Sequence, residues 1–109
     1  FSKPKFKTFR KSHRHPYVTR EIDLHIENLV DNWRDLDPAQ IIQTQIDVAR
    51  NEVERAMFEN QIRLVFIHGF GKGVLKRELT ELLYRYINIE FYDAPIKEYH
   101  GDAIEVKFI

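Results

Sequence analysis

Residues 62–67 read Ile-Arg-Leu-Val-Phe-Ile and run straight into His68-Gly69-Phe70-Gly71-Lys72-Gly73. A β-branched and aromatic run broken by a single Arg reads as a central strand covered on both faces. Before it, Ile42, Ile46, Ala49, Val53, Ala56 and Met57 recur at steps of three and four, an apolar stripe along about five helical turns. After the glycines, Leu75, Leu79, Leu82, Leu83 and Tyr86 repeat the pattern. A buried strand with an amphipathic helix on each side in sequence belongs to an α/β sheet.

The remaining elements follow from local chemistry. Glu21-Ile22-Asp23-Leu24-His25-Ile26 alternates polar with apolar, the period of a half-buried strand. Residues 27–36 read as a connection anchored by Leu29, Val30, Trp33 and Leu36. Asp37-Pro38-Ala39-Gln40 predicts a helix start: Asp37 can cap, Pro38 sits where an N–H is not needed, and Gln40 completes a capping box. Asn60 offers the stop. Ile89–Tyr92 predicts a third strand, Pro95 breaks it, and Gly101 precedes a fourth in which Ile104, Val106 and Phe108 share a face. The order β-α-β-α-β-β, with right-handed crossovers and a closing antiparallel hairpin, predicts a two-layer α/β sandwich with a mixed four-stranded sheet.

At 109 residues and 13.1 kDa the chain has the length of one domain. The longest wholly apolar stretch is Leu64–Ile67, far short of a bilayer span, and no secretory signal opens the sequence. The absence of Cys excludes disulfide scaffolds, thiolate metal sites and thiol nucleophiles, and leads to an expected cytoplasmic location. A zero net charge hides an asymmetry. Residues 1–20 hold seven cations and no acid, whereas the rest holds the other ten against all 17 acids. Residues 1–19 are therefore expected to be a basic arm or linker, and residues 20–109 the domain. A basic arm on an acidic body fits a polyanion partner, most simply DNA or RNA, and equally a solvated linker. Phe1, Phe6, Phe9 and Tyr17 interleave with its cations, as base stacking or packing on a neighbouring domain would require. His13 and His15 have no third ligand nearby. Because the sequence opens on Phe1, an upstream domain of the same chain is expected.

If the first two strands are parallel neighbours, about 5 Å apart, His25 and His68 meet at their carboxyl ends, where α/β sheets place ligands. Asp23, the glycine loop and the start of the second long helix converge there too. Glycine amides, a helix dipole and the Lys72 charge suit a phosphate group. It is not a Walker loop, since Gly73 follows Lys72 and no hydroxyl is available for magnesium. Nor is it a dinucleotide fingerprint: Val74 stands where the third Gly belongs, and too little chain follows Glu90 to build that fold.

Asp23-Leu24-His25, a long helix, and an apolar strand running into His68-Gly69-Phe70-Gly71-Lys72-Gly73-Val74-Leu75 together resemble the Smr (small MutS-related) family. That family carries an Asp-Leu-His-Gly motif and a His-Gly-x-Gly-x-Gly-x-Leu motif at about this separation. The likeness covers roughly residues 20–109, with a looser match over Gly101–Ile109. Ile26 departs from it, standing where the family usually has Gly. The resemblance implies a fold like the C-terminal domain of bacterial translation initiation factor three. It also implies nucleic-acid binding, a role in DNA repair or RNA quality control, and nicking endonuclease activity.

Carried onto this chain, the resemblance makes Asp23 and His25 the candidate catalytic pair. It makes His68, Gly69, Gly71 and Gly73 the nucleic-acid-binding loop. Lys72, Lys76 and Arg77 are candidate phosphate contacts from their charge and place. Imidazoles exchange protons near neutral pH, so His25 can act as base or acid while Asp23 orients it. The plainer alternative is that both residues are the solvent side of a strand. Lys76 and Arg77 would likewise be an ordinary first helical turn, although cations there oppose the helix dipole. No cofactor is expected. A divalent metal is compatible with Asp23, His25 and His68, for which Glu27 is the nearest added oxygen ligand, but nothing in the sequence requires it. The competing function is a non-catalytic nucleic-acid or protein interaction module of a larger protein. Neither reading involves a membrane.

Overall fold

The computed structural model describes residues 3–7 and 19–109. Along them run β1 (Thr19–Asp23), α1 (Ile26–Leu29), α2 (Pro38–Phe58), β2 (Arg63–Ile67), α3 (Val74–Leu83), β3 (Ile89–Asp93), α4 (Ile96–Tyr99) and β4 (Ala103–Phe108). The four strands form one sheet in the order β1-β2-β4-β3. β1 and β2 are parallel, while β4 is antiparallel to both β2 and β3. The mixed four-stranded α/β architecture is the expected one, with β4 slipped between β2 and β3.

The expected capping box launches α2: Gln40 N donates to Asp37 Oδ1 at 2.8 Å, and Asp37 N donates to Gln40 Oε1 at 2.9 Å. The helix ends at Phe58, and Asn60 takes a left-handed φ of 56°, a conformation Asn tolerates better than most side chains. The apolar stripes of α2 and α3 cover one sheet face, where Ile22, Leu64, Phe66, Ile104 and Val106 pack against Ile46, Ala49, Val53, Leu79 and Leu83. On the opposite face Val65, Ala94, Tyr99 and Ala103 form a smaller cluster beside α4. β2 is buried on both sides, as its composition requires: Leu64, Val65 and Phe66 are all fully buried.

Several boundaries differ from expectation, each for a local reason. The alternation over residues 21–26 continues in burial, with Ile22, Leu24 and Ile26 all inside, but β1 stops at Asp23. There the carboxylate accepts from His25 N at 2.9 Å and turns the chain into α1. The connection that follows contains a 3-10 turn at Trp33–Asp35. The break at Pro95 holds α4, too short to show any helical period.

The basic segment also divides. Arg20, counted among its cations, lies in β1 and forms an ion pair with Glu52 of α2 at 3.0 Å. Residues 3–7 dock beside the α1 connection: Lys7 N donates to Leu29 O at 2.7 Å, Asp31 N to Lys5 O at 2.8 Å, and Lys5 N to Asn32 Oδ1 at 2.9 Å. Arg10, Lys11, Arg14, Phe1, Phe9, Tyr17 and the His13/His15 pair lie outside the described residues.

Candidate functional site

Parallel pairing places Asp23 opposite Ile67, and Leu24 N donates to Ile67 O at 2.8 Å just beyond. The chains leaving β1 and β2 therefore emerge side by side, one carrying His25 and the other His68 and Gly69. Asp23 accepts through Oδ1 from His25 Nδ1 at 2.6 Å and through Oδ2 from Asn28 Nδ2 at 2.9 Å. A carboxylate accepting at Nδ1 assigns that nitrogen the proton and leaves Nε2 as the ring's basic atom.

Nε2 faces Gly69 so closely that a Cβ at that position would collide with the imidazole. Gly69 also holds a φ of +78°, which side chains disfavour. Two independent requirements thus select glycine there. The loop base is pinned by His68 N and Gly69 N, which donate to Asp102 O at 2.9 and 3.0 Å. Gly73, with φ +81°, turns the chain into α3. The first intrahelical amide bond is Arg77 N to Gly73 O at 3.0 Å. The amides of Val74, Leu75 and Lys76 precede it and have no acceptor one turn back in the helix, at the positive end of the helix dipole.

These pieces surround a cleft of about 440 Å³, lined by His25, Ile26, Ile42, Gln45, the loop from His68 to Gly73 and the first turn of α3. Its size is that of a small-ligand site. His68 stands at one wall with Nδ1 donating to Gly69 O at 2.8 Å, and its Nε2 is buried without a partner. Burial, reinforced by Lys76, pushes the His68 imidazole below its ordinary range despite the Gly69 carbonyl. Its ring, tied to the Gly69 carbonyl, props the loop.

No protein-family model and no curated protein matches the chain. Among solved structures, the crystal structure of the Smr domain of Thermus thermophilus MutS2 superimposes with a TM-score of 0.58 and 26% identity, over 82% of this chain and 96% of that one. The chain carries an Smr-like domain. Its Asp-Leu-His and His-Gly-x-Gly-x-Gly segments, far apart in sequence, are the two lips of the cleft.

Not every candidate of this Smr-like domain reaches the cleft in the same way. His25, His68, Gly69, Gly71, Lys72 and Gly73 line it, and Asp23 supports it from behind. Lys76 lines it too, but its ammonium is 2.9 Å from Asp93. Arg77 is absent from the lining and has Glu78 at 4.0 Å. Ile26, in place of the family's Gly, opens α1 with its side chain buried, and a helical φ needs no glycine. Among the described residues, no group of three or more His, Asp and Glu side chains could hold a metal ion. No helix among them is long and apolar enough to cross a membrane.

Sequence reasoning passed over Gln45 and Asn28. Gln45 is 7% exposed, and its Nε2 donates to Leu24 O at 2.8 Å while Oε1 has no partner. The signal was present: Gln45 interrupts the inward stripe between Ile42 and Ala49, and a polar side chain at a core position needs a reason. Asn28 carried no comparable signal, since its role depends on the turn at Asp23.

Proposed function

We propose that this Smr-like domain binds nucleic acid in the cleft and cleaves its phosphodiester backbone, with His25 as the proton acceptor and Asp23 as its orienting partner. The observation that carries this reading is the Asp23–His25 dyad, whose basic Nε2 is held against the glycine loop at the start of α3. The likeness to the Smr domain of MutS2 supports it. In this mechanism a phosphate sits against the loop and the α3 amides, with Lys72 adding charge. His25 Nε2 takes the proton of the attacking hydroxyl, either a ribose 2′-hydroxyl or water. The oxygen–phosphorus bond forms as the bond to the leaving sugar oxygen breaks. The imidazolium, stabilised by Asp23, then returns its proton to that oxygen. None of these steps requires a bound cofactor or metal.

Incubating the protein with supercoiled plasmid and with labelled single-stranded RNA, beside Asp23→Ala and His25→Ala variants, tests the proposal. Cleavage lost in both variants with binding retained is the expected result. Equal cleavage by all three proteins overturns the assignment of the pair. The second reading, a non-catalytic interaction module, draws on the ion pair that occupies Lys76. It predicts salt-sensitive binding without cleavage.

A further inference from the structure

Phe70 stands at the tip of the glycine loop between Gly69 and Gly71, with 76% of its surface exposed. Exposure alone says little, because single apolar side chains on a surface are common. Its place says more: it borders a cleft whose walls include Ile26, Ile42 and Leu75. That mixture of an aromatic rim, an apolar wall and a nearby cation differs from a surface built only for phosphates. At the same cleft lies Gln45, more than nine-tenths buried, with Nε2 engaged by Leu24 O and Oε1 unpaired. A buried carbonyl oxygen without a donor is costly, and such an atom beside a ligand cleft marks a point where a ligand donor can complete the bond.

We propose that the cleft takes an unpaired nucleotide of single-stranded nucleic acid, its base stacked on Phe70 and a base N–H donating to Gln45 Oε1. The inference rests on the nucleic-acid reading above and narrows it to strands whose bases are exposed. In a duplex the base faces are covered by their neighbours and the Watson–Crick donors are already used, so neither contact forms. Stacking on an aromatic side chain tolerates any base, whereas the Gln45 contact requires a donor on the base edge.

Fluorescence anisotropy on the intact chain tests this with three probes of equal length: single-stranded RNA, its duplex, and a strand lacking bases but keeping the sugar–phosphate backbone. The natural protein is expected to prefer the single strand. Phe70→Ala should weaken that complex about tenfold, Phe70→Trp should preserve it, and neither should alter binding to the base-free strand. Gln45→Leu also strips Leu24 O of its donor and should lower the thermal midpoint; at a temperature where the variant is fully folded it should weaken the single-strand complex and leave binding to the base-free strand unchanged. Equal affinity for the base-free and natural strands, with indifference to Phe70, overturns the base-stacking proposal while leaving the phosphate-binding cleft intact. Failure to bind any of the three probes overturns the nucleic-acid reading itself.

Discussion

Two glycines of one loop make a controlled comparison at the level of single residues. Gly69 and Gly73 both have left-handed φ values, but a Cβ at Gly73 would meet nothing within 4 Å, whereas one at Gly69 would strike His25. Gly73→Ala should therefore cost only the backbone strain, about 1–2 kcal/mol. Gly69→Ala adds displacement of the imidazole and should abolish cleavage even where the fold survives. Denaturation curves and cleavage assays on the two variants separate these effects. His68 makes a second residue-scale prediction. Its folded-state pKa lies below the ordinary 6.5, chiefly through burial, so the unfolded chain binds the proton more readily. The His68 contribution to stability is complete above about pH 6.5 and is lost as pH falls from there through the folded value. Urea midpoints measured from neutral pH down to about pH 5 should fall less steeply in His68→Gln than in the natural protein.

Among the elements, the contact between β1 and α2 is the most exposed to electrostatic failure. Glu52 is 5% exposed, and burial raises its pKa more than Arg20 and Arg55 lower it. The Arg20–Glu52 distance of 3.0 Å does not bring the hydrogen-bond alignment to Oε2 that would offset the desolvation fully. Arg20→Met should cost about 3–5 kcal/mol near neutral pH by stranding the carboxylate, and Arg20→Met with Glu52→Leu should recover most of that. Because Glu52 is raised, the natural protein's Glu52 contribution is present below the ordinary 4.5 and lost as pH rises through the folded value. The loss in the single variant should accordingly shrink toward acid, which chemical denaturation can follow. The α2 cap carries a milder expectation: Asp37→Ala should lower stability by about 1 kcal/mol, measured the same way.

How much of this was legible in the sequence depended on the range of the forces involved. β2, α2 and α3 announced themselves because long periodic stripes and a capping box are local signals. The two histidine-bearing segments could be brought together on paper because parallel β-α-β pairing leaves little choice at the strand ends. Arg20 could not be told from its neighbouring cations, since its burial depends on α2 passing overhead. Gln45 was readable only as an irregularity in a stripe. The hydrogen bonds that end β1 and the turn of α4 belong to single side chains and very short segments, below the reach of periodicity.

At the scale of the whole molecule, charge is distributed unevenly around the cleft. Lys72 stands on the loop, Lys76 is partnered with Asp93, and Lys7 donates to Glu27 O at 2.6 Å within 3.7 Å of Asp31. Binding in the cleft should thus depend on salt only modestly. Lys72→Ala should lower affinity for every sequence and reduce the slope of log K against log salt by about one unit, whereas Arg77→Ala, outside the cleft, should leave both nearly unchanged. Titrations at several potassium concentrations would read these slopes directly. The pairing of Asp23 with Ile67 reaches further. In a sheet, a shift of one position turns every side chain to the opposite face. A copy of this protein threaded one residue out of step could keep much of its secondary structure, yet its imidazole would be turned away from the glycine loop. Chemical competence would then report on correct threading, and misassembled copies would be inert toward nucleic acid rather than indiscriminately destructive.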